Sequence, residues 1–318
     1  MGIVLPAKLP LKSLLLSFFL KAEQIQAMKT TCLLFLVLFA FLKNSTSQSI
    51  SNSSGVQDSL SKTSSRIWKQ KTDSTRIHSS EVFLADLQSV LKSDAYKAIP
   101  FDSIQGITRV ASDDGVLRIF TWNVPLSSGL NKYYGCIQIM QNGTFVIPLQ
   151  STIGVLNCSE TDPVLPQDWY GALYYKLIQV VVGEKKVYTL LGWDGYTTDA
   201  NRKFIDIISI DENGNLVFGM PVFKTDQGIK SRIILEYTEK SNMLLRYDYQ
   251  AIRVEKRKKI KKEYNWLIVM DHLVPIDISF LGIKKYYVPS GDTYEGFVFN
   301  NGYWVLVEDI DVANSTEH

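Results

Sequence analysis

Trp193, Asp194, Asp199 and Arg202 fall within one short stretch and combine an aromatic face, oxygen acceptors and a guanidinium. Such a set suits a cation or a saccharide. The same aspartates can instead close turns by accepting backbone amides two residues on, and both readings stand. The neighbouring run Asp211, Glu212, Asn213, Gly214, Asn215 offers oxygens at alternate positions, but an EF-hand loop needs Gly at its sixth place and Glu at its twelfth. This chain has Leu216 and Val222 there, so the run reads as a hairpin turn.

Carboxylates can also work in pairs. A glycosidase needs two correctly spaced acids, and Asp194, Asp271, Glu295 and Asp309 are the acids from which a saccharide hydrolase would draw them. Asp271 and His272 are adjacent, yet neighbours on a strand point to opposite faces, so a triad through them requires an irregularity in the chain. There is no Gly-x-Ser-x-Gly elbow, no His-x-x-x-His pair and no Gly-rich phosphate loop. No catalytic residue, metal or cofactor is therefore expected.

Lys256, Arg257, Lys258, Lys259, Lys261 and Lys262 form the densest charge cluster. Lying between two strand signals, it reads as a solvated hairpin tip or as an electrostatic contact for anionic lipid or an acidic polymer. Cys136 and Cys158 are the cysteines beyond the N-terminal segment; they can pair as a disulfide or stay as two separate buried thiols.

These side chains need elements to hold them. After Pro100 the pattern is short apolar runs punctuated by turn chemistry, through to Val312. Ile107–Val110 is expected to pair with Val116–Trp122, Tyr133–Met140 with Thr144–Leu149, and Tyr174–Val182 with Val187–Leu191. Arg232–Tyr237 is expected to turn into Met243–Val254, which pairs with Tyr264–Asp271, and Tyr294–Phe299 pairs with Tyr303–Val307. The stretch from Leu190 to Phe223 reads as the centre of a sheet, with a type I′ turn at Asn213-Gly214 and a return strand over Leu216–Phe223. The fold class is thus all-β, mostly antiparallel hairpins. Sandwich, barrel and propeller all fit, and an aperiodic echo at Thr121–Pro125, Gly192–Gly195 and Val269–Pro275 leans toward the propeller.

Upstream, residues 1–27 read as an extension preceding a signal peptide over 28–47: Lys29, an apolar run from Leu33 to Leu42, then small residues, with a cut near Gln48. Residues 48–80 are rich in Ser, Thr, Lys and Gln and read as a flexible leader. A single helix is expected over 81–93, with Phe83, Leu84, Leu87, Val90 and Leu91 on one face and Ser79 or Ser80 as cap. It opens a single β-rich domain over 81–312.

Leu191-Gly192-Trp193-Asp194-Gly195, Gly214–Phe218, Met270-Asp271-His272-Leu273 and Val288-Pro289-Ser290-Gly291 onward to Phe297 together resemble an uncharacterised group of secreted, β-rich proteins of Bacteroidetes. The resemblance spans roughly 83–307 and implies a Gram-negative envelope setting, periplasmic, outer-membrane associated or secreted, with no activity attached. A net charge of +2 gives no whole-chain argument for nucleic acid, and export disfavours it further. The expected function is a non-enzymatic binding or structural module whose partner is an envelope protein, anionic lipid or polysaccharide; the alternative is the carboxylate-dependent hydrolase.

Overall fold

Why the middle of this chain is so apolar is answered by its place between two other sheets. The computed structural model describes residues 54–151, 158–211, 213–256, 259–308 and 310–311. The upstream extension and signal peptide lie outside them, as do Arg257, Lys258 and Asp309. Residues from Gln57 onward form one unit.

Three sheets are stacked. The first is β1 (Thr108–Ala111), β2 (Leu117–Pro125), β3 (Asn131–Ile139) and β4 (Phe145–Gln150), in that order. The middle sheet has the order β11 (Ile233–Thr238), β7 (Ala200–Ile210), β6 (Lys185–Asp194), β5 (Leu173–Val182), and β8 (Leu216–Phe218) extends β7. The third runs β10 (Gly228–Lys230), β9 (Phe223–Thr225), β15 (Tyr303–Val307), β14 (Tyr287–Asn300), β13 (Lys259–Pro275), β12 (Leu245–Lys256), β16 (Ile310–Asp311). All pairings are antiparallel except β9 with β15. Each sheet is open, so none closes into a barrel, and the three lie face to face as layers instead of as blades around an axis, so the propeller leaning is not met. The all-β class, mostly antiparallel, is what the chain adopts.

Strand alternation sends successive side chains to opposite faces, and in the middle sheet both faces are buried. Tyr188, Leu190, Phe204 and Ile208 pack toward Ile119, Ile137 and Ile139 of the first sheet. Val187, Leu191, Ile205 and Ile207 pack toward Phe223, Ile268, Phe297 and Trp304 of the third. The stretch around Leu190–Phe223 is indeed the sheet centre.

The turn chemistry is partly as expected. Asn301 and Gly302 both have positive φ and join β14 to β15 as a two-residue turn. At Asn213-Gly214 only Gly214 has positive φ, so the expected type I′ turn is corrected: the Asp211 carboxylate accepts the Asn213 and Asn215 N–H groups at 2.9 and 2.8 Å and closes a longer loop. The return strand also ends early. After Phe218, Gly219 adopts φ +93°, and the chain passes to β9 in the next sheet. A Cβ at Gly219 would meet the Arg232 guanidinium at 2.6 Å, so glycine is required twice over. Nor do β11 and β12 form a hairpin: β11 pairs β7 and β12 pairs β13, the chain crossing between layers at 239–244.

Among the described residues two helices precede the strands where one was expected. Residues 54–69, read as flexible leader, are helical, as α1. Leu60, Thr63, Ser64 and Ile67 share its buried face, and Thr63 and Ser64 turn their hydroxyls back onto the Ser59 and Ser61 carbonyls. α2 is Asp73–Leu91, two turns longer upstream than expected and capped by Thr72, not Ser79 or Ser80. Ser80 is buried on the helix face shared by Phe83, Leu84 and Leu87; its small side chain lets the helix approach closely. Phe83 meets Trp122 of β2 edge-on at 4.9 Å, and the Gln138 amide of β3 donates to the Leu91 carbonyl at 2.6 Å. α2 therefore covers the outer face of the first sheet.

Cys136 and Cys158 are both free thiols in this structure. Cys136 is on β3 beside Tyr134, whereas Cys158 packs against the core between the first two sheets. Burial pushes both thiols up, Cys158 to about 11, which disfavours the thiolate form of each.

Candidate functional site

The structure divides the set Trp193, Asp194, Asp199, Arg202. β6 continues as strand through Asp194, so the expected turn at Trp193-Asp194-Gly195 is a strand end, and Trp193 faces away from Asp194. Asp194 and Arg202 are cross-strand partners joined at 2.6 and 3.1 Å, both buried. The Arg202 guanidinium lies 3.4 Å from the Tyr196 ring centre. Burial pushes the Asp194 carboxyl up, while Arg202 and the Tyr133 hydroxyl pull it back. The cavity here measures about 10 Å³, room for one water at most. Asp199 is separate, on the surface, bonded to Lys285 at 2.8 Å. Bonds from Lys285 and Thr197 hold its carboxyl below the usual range.

Of the candidate acids for hydrolysis, Asp271 and Glu295 are likewise engaged, and Asp309 lies outside the described residues. Asp271 accepts the Leu244 N–H at 2.6 Å. The irregularity a triad would need does exist, as a register shift between Asp271 and Leu273, but it brings His272 to Glu295, at 3.3 Å. Among the described residues no three His, Cys, Asp or Glu side chains gather as a metal site.

A second buried ion pair escaped the sequence reading. Asp206, on β7, accepts from Arg232 Nε at 3.0 Å, the Tyr170 hydroxyl at 2.6 Å and the Ile207 N–H at 2.7 Å. Arg232 donates onward to the carbonyls of Ser159, Asp162 and Phe218. Burial raises the Asp206 carboxyl, opposed by these donors. The signal was one carboxylate between Ile205 and Ile207. Its role is to tie the 159–164 segment to the middle sheet, and it is closed to ligands.

Open volume lies at the opposite end of the sandwich, where the turns after β1, β3, β5 and β7 gather. A cleft of about 640 Å³ is lined by Asp114, Gln141, Lys186, Tyr188 and Asp211 among others. It adjoins a further cleft of about 680 Å³ across the exposed Phe145 ring. Asp114 accepts from Ser112, Val116 N–H, Lys186 and Tyr188 at 2.7 to 3.3 Å. Partial burial raises its carboxyl, but the bonds from Ser112, Val116 and Lys186 outweigh it and leave the pKa below 3.8. A lowered folded-state pKa gives stability that is full above the unfolded value and lost as pH falls through the folded one. NMR titration of the Asp114 carboxyl is expected to show a midpoint below 3.8, and Asp114→Asn should flatten the acid limb of a thermal-melt series; an ordinary midpoint would contradict the bonding described.

The most exposed apolar feature of the strands is on the third sheet. The hairpin of β12 and β13 is its longest, paired from Leu245↔Met270 to Lys256↔Lys259. Leu245, Ile268 and Met270 are core residues beneath the middle sheet. Further along the same face that cover ends, and Tyr249, Trp266 and Tyr264 are 52, 57 and 58% exposed. Their rings form one row: Tyr247 to Trp266 at 5.3 Å, Trp266 to Tyr249 at 5.8 Å, Tyr249 to Tyr264 at 5.9 Å. Lys262 follows on that face, exposed, and the last pair of the hairpin is Lys256↔Lys259, with Arg257 and Lys258 outside the described residues.

No family model, curated protein or solved structure matches this chain, and nothing in those comparisons bears on the resemblance to the Bacteroidetes group.

Proposed function

We propose that this chain is a non-catalytic binding module of the cell envelope that holds an extended acidic polysaccharide along the β12–β13 hairpin. The ring row carries the reading. Exposed aromatic rings in series cost apolar hydration that a monomer normally avoids, and such patches mark binding surfaces. Sugar rings present C–H faces that stack on aromatic side chains, and a linear polymer meets Tyr247, Trp266, Tyr249 and Tyr264 in turn before reaching the Lys-rich hairpin end. There, positive charge attracts acidic groups. A membrane headgroup offers no such linear series of faces.

The test is titration of intrinsic fluorescence and calorimetry with a uronic-acid polymer, a neutral glucan and a single-stranded oligonucleotide. The acidic polymer is expected to bind, and Trp266→Ala and Tyr264→Ala are each expected to weaken it by about tenfold, the size of one well-stacked ring. Both side chains are solvent-exposed, so the fold should persist, checked by circular dichroism. Ring-dependent binding of the oligonucleotide alone would overturn the assignment.

A further inference from the structure

At the other end of β13 from the basic run, residues 276–286 connect β13 to β14. This connection is built, not slack. Asp277 accepts the Ser279 N–H and hydroxyl at 2.9 and 2.7 Å. Two 3-10 turns follow, Ile278–Phe280 and Lys284–Tyr286. Ile276 N–H donates to the Tyr286 carbonyl at 2.9 Å, closing the base. Gly282 N–H donates to the Tyr287 hydroxyl at 3.0 Å, and the Phe280 ring packs 4.3 Å from Tyr286.

So held, the loop turns its aliphatic side chains outward: Ile276, Ile278, Leu281 and Ile283 are 58, 77, 67 and 46% exposed. Nearer the sheet come Tyr286 and Tyr287, with the Lys285 and Lys284 ammonium groups 5.2 and 4.3 Å from their ring centres. Aliphatic tip, then tyrosine and lysine, is the polarity profile of a bilayer from acyl chains to headgroups. Local charge does not favour one headgroup sign: Lys285 is paired with Asp199, Asp277 bonds its own turn, and Glu236 lies within electrostatic reach of both lysines.

We propose that this loop anchors the protein on a lipid bilayer by shallow insertion of Ile276, Ile278, Leu281 and Ile283, with neutral headgroups sufficing. A second copy of the chain is the poorer occupant. A stable protein interface covers about 800 Å² per partner, whereas four side chains at a loop tip offer a patch of a few hundred Å². This goes beyond the polysaccharide reading and uses a different surface.

Co-sedimentation of the protein with phosphatidylcholine vesicles is the test. Binding is expected and should be unchanged between 50 mM and 500 mM salt, because burial of aliphatic surface drives it. Ile278→Asp with Leu281→Asp should lower the partition coefficient by about a hundredfold, and the milder Ile278→Ser with Leu281→Ser by less, both with unaltered circular dichroism. Trp266→Ala should partition as the parent does, which separates this site from the polysaccharide row. Absence of binding to phosphatidylcholine would overturn the proposal. So would salt-sensitive binding confined to phosphatidylglycerol vesicles, which would point to the basic run, or a loop-dependent dimer in light scattering.

Discussion

Asp206→Ala is expected to destabilise the fold by about 3–5 kcal/mol, the usual cost of leaving one member of a buried ion pair without its partner. Arg232 is fully buried and keeps its charge at any accessible pH. Three carbonyls would remain around it, but no anion. Arg232→Met should cost a similar amount by stranding Asp206, while Tyr170→Phe, removing one hydroxyl donor, should cost about 1 kcal/mol. The decisive variant carries Asp206→Leu and Arg232→Met together. Well-packed apolar replacement of a whole buried pair is often neutral, so the double variant should be more stable than either single one. Urea unfolding followed by tryptophan fluorescence measures all four, and single variants losing under about 1 kcal/mol would show that the pair does not hold the 159–164 segment.

Trp304→Ala should be of the same order, about 3–5 kcal/mol. This side chain is fully buried between the middle and third sheets, against Phe299 and Tyr247. Its indole N–H donates to the Thr189 hydroxyl of β6 at 2.9 Å, a polar link between the two layers like that of the Tyr175 hydroxyl to the Leu245 carbonyl at 3.1 Å. Trp304→Phe keeps most of the volume but strands the hydroxyl. Adding Thr189→Val to Trp304→Phe removes that unpartnered group and should recover part of the loss. Denaturant midpoints of the three variants give the comparison, and equal values for Trp304→Phe with and without Thr189→Val would mean that the hydrogen bond contributes nothing.

What could be read from the residues was whatever local geometry dictates. Asn301-Gly302 and Gly183 announced their turns because only positive φ closes them, and Ile205, Ile207 and Ile208 announced a buried strand. The pairing of β11 with β7 could not be read, since the turn chemistry at 239–242 serves a layer crossing as well as a hairpin. The helix over 54–69 was hidden because half its buried face is Thr63 and Ser64, small hydroxyl residues that satisfy themselves on the preceding turn. The site followed the same division. Asp194 and Asp199 looked equivalent, but strand alternation buried one against Arg202 and left the other with Lys285. Tyr249, Tyr264 and Trp266 had the alternation of a core face, and only the extent of the middle sheet above them decides that they meet solvent.

The parallel contact of β9 with β15 has a bearing on how the molecule comes into being. Phe223 pairs with Trp304, and Trp304 is bonded to a threonine 115 positions earlier. Closing loops of that span before any contact rewards them is the slow step of β-rich folding. Until residues 303–307 complete the third sheet, the face of the middle sheet formed by Val187, Leu191, Ile205 and Ile207 is only partly covered, by Phe223, Ile268 and Phe297. During synthesis the chain therefore passes through a waiting period with a partly open apolar sheet, the species on which a chaperone would act and from which aggregation would start.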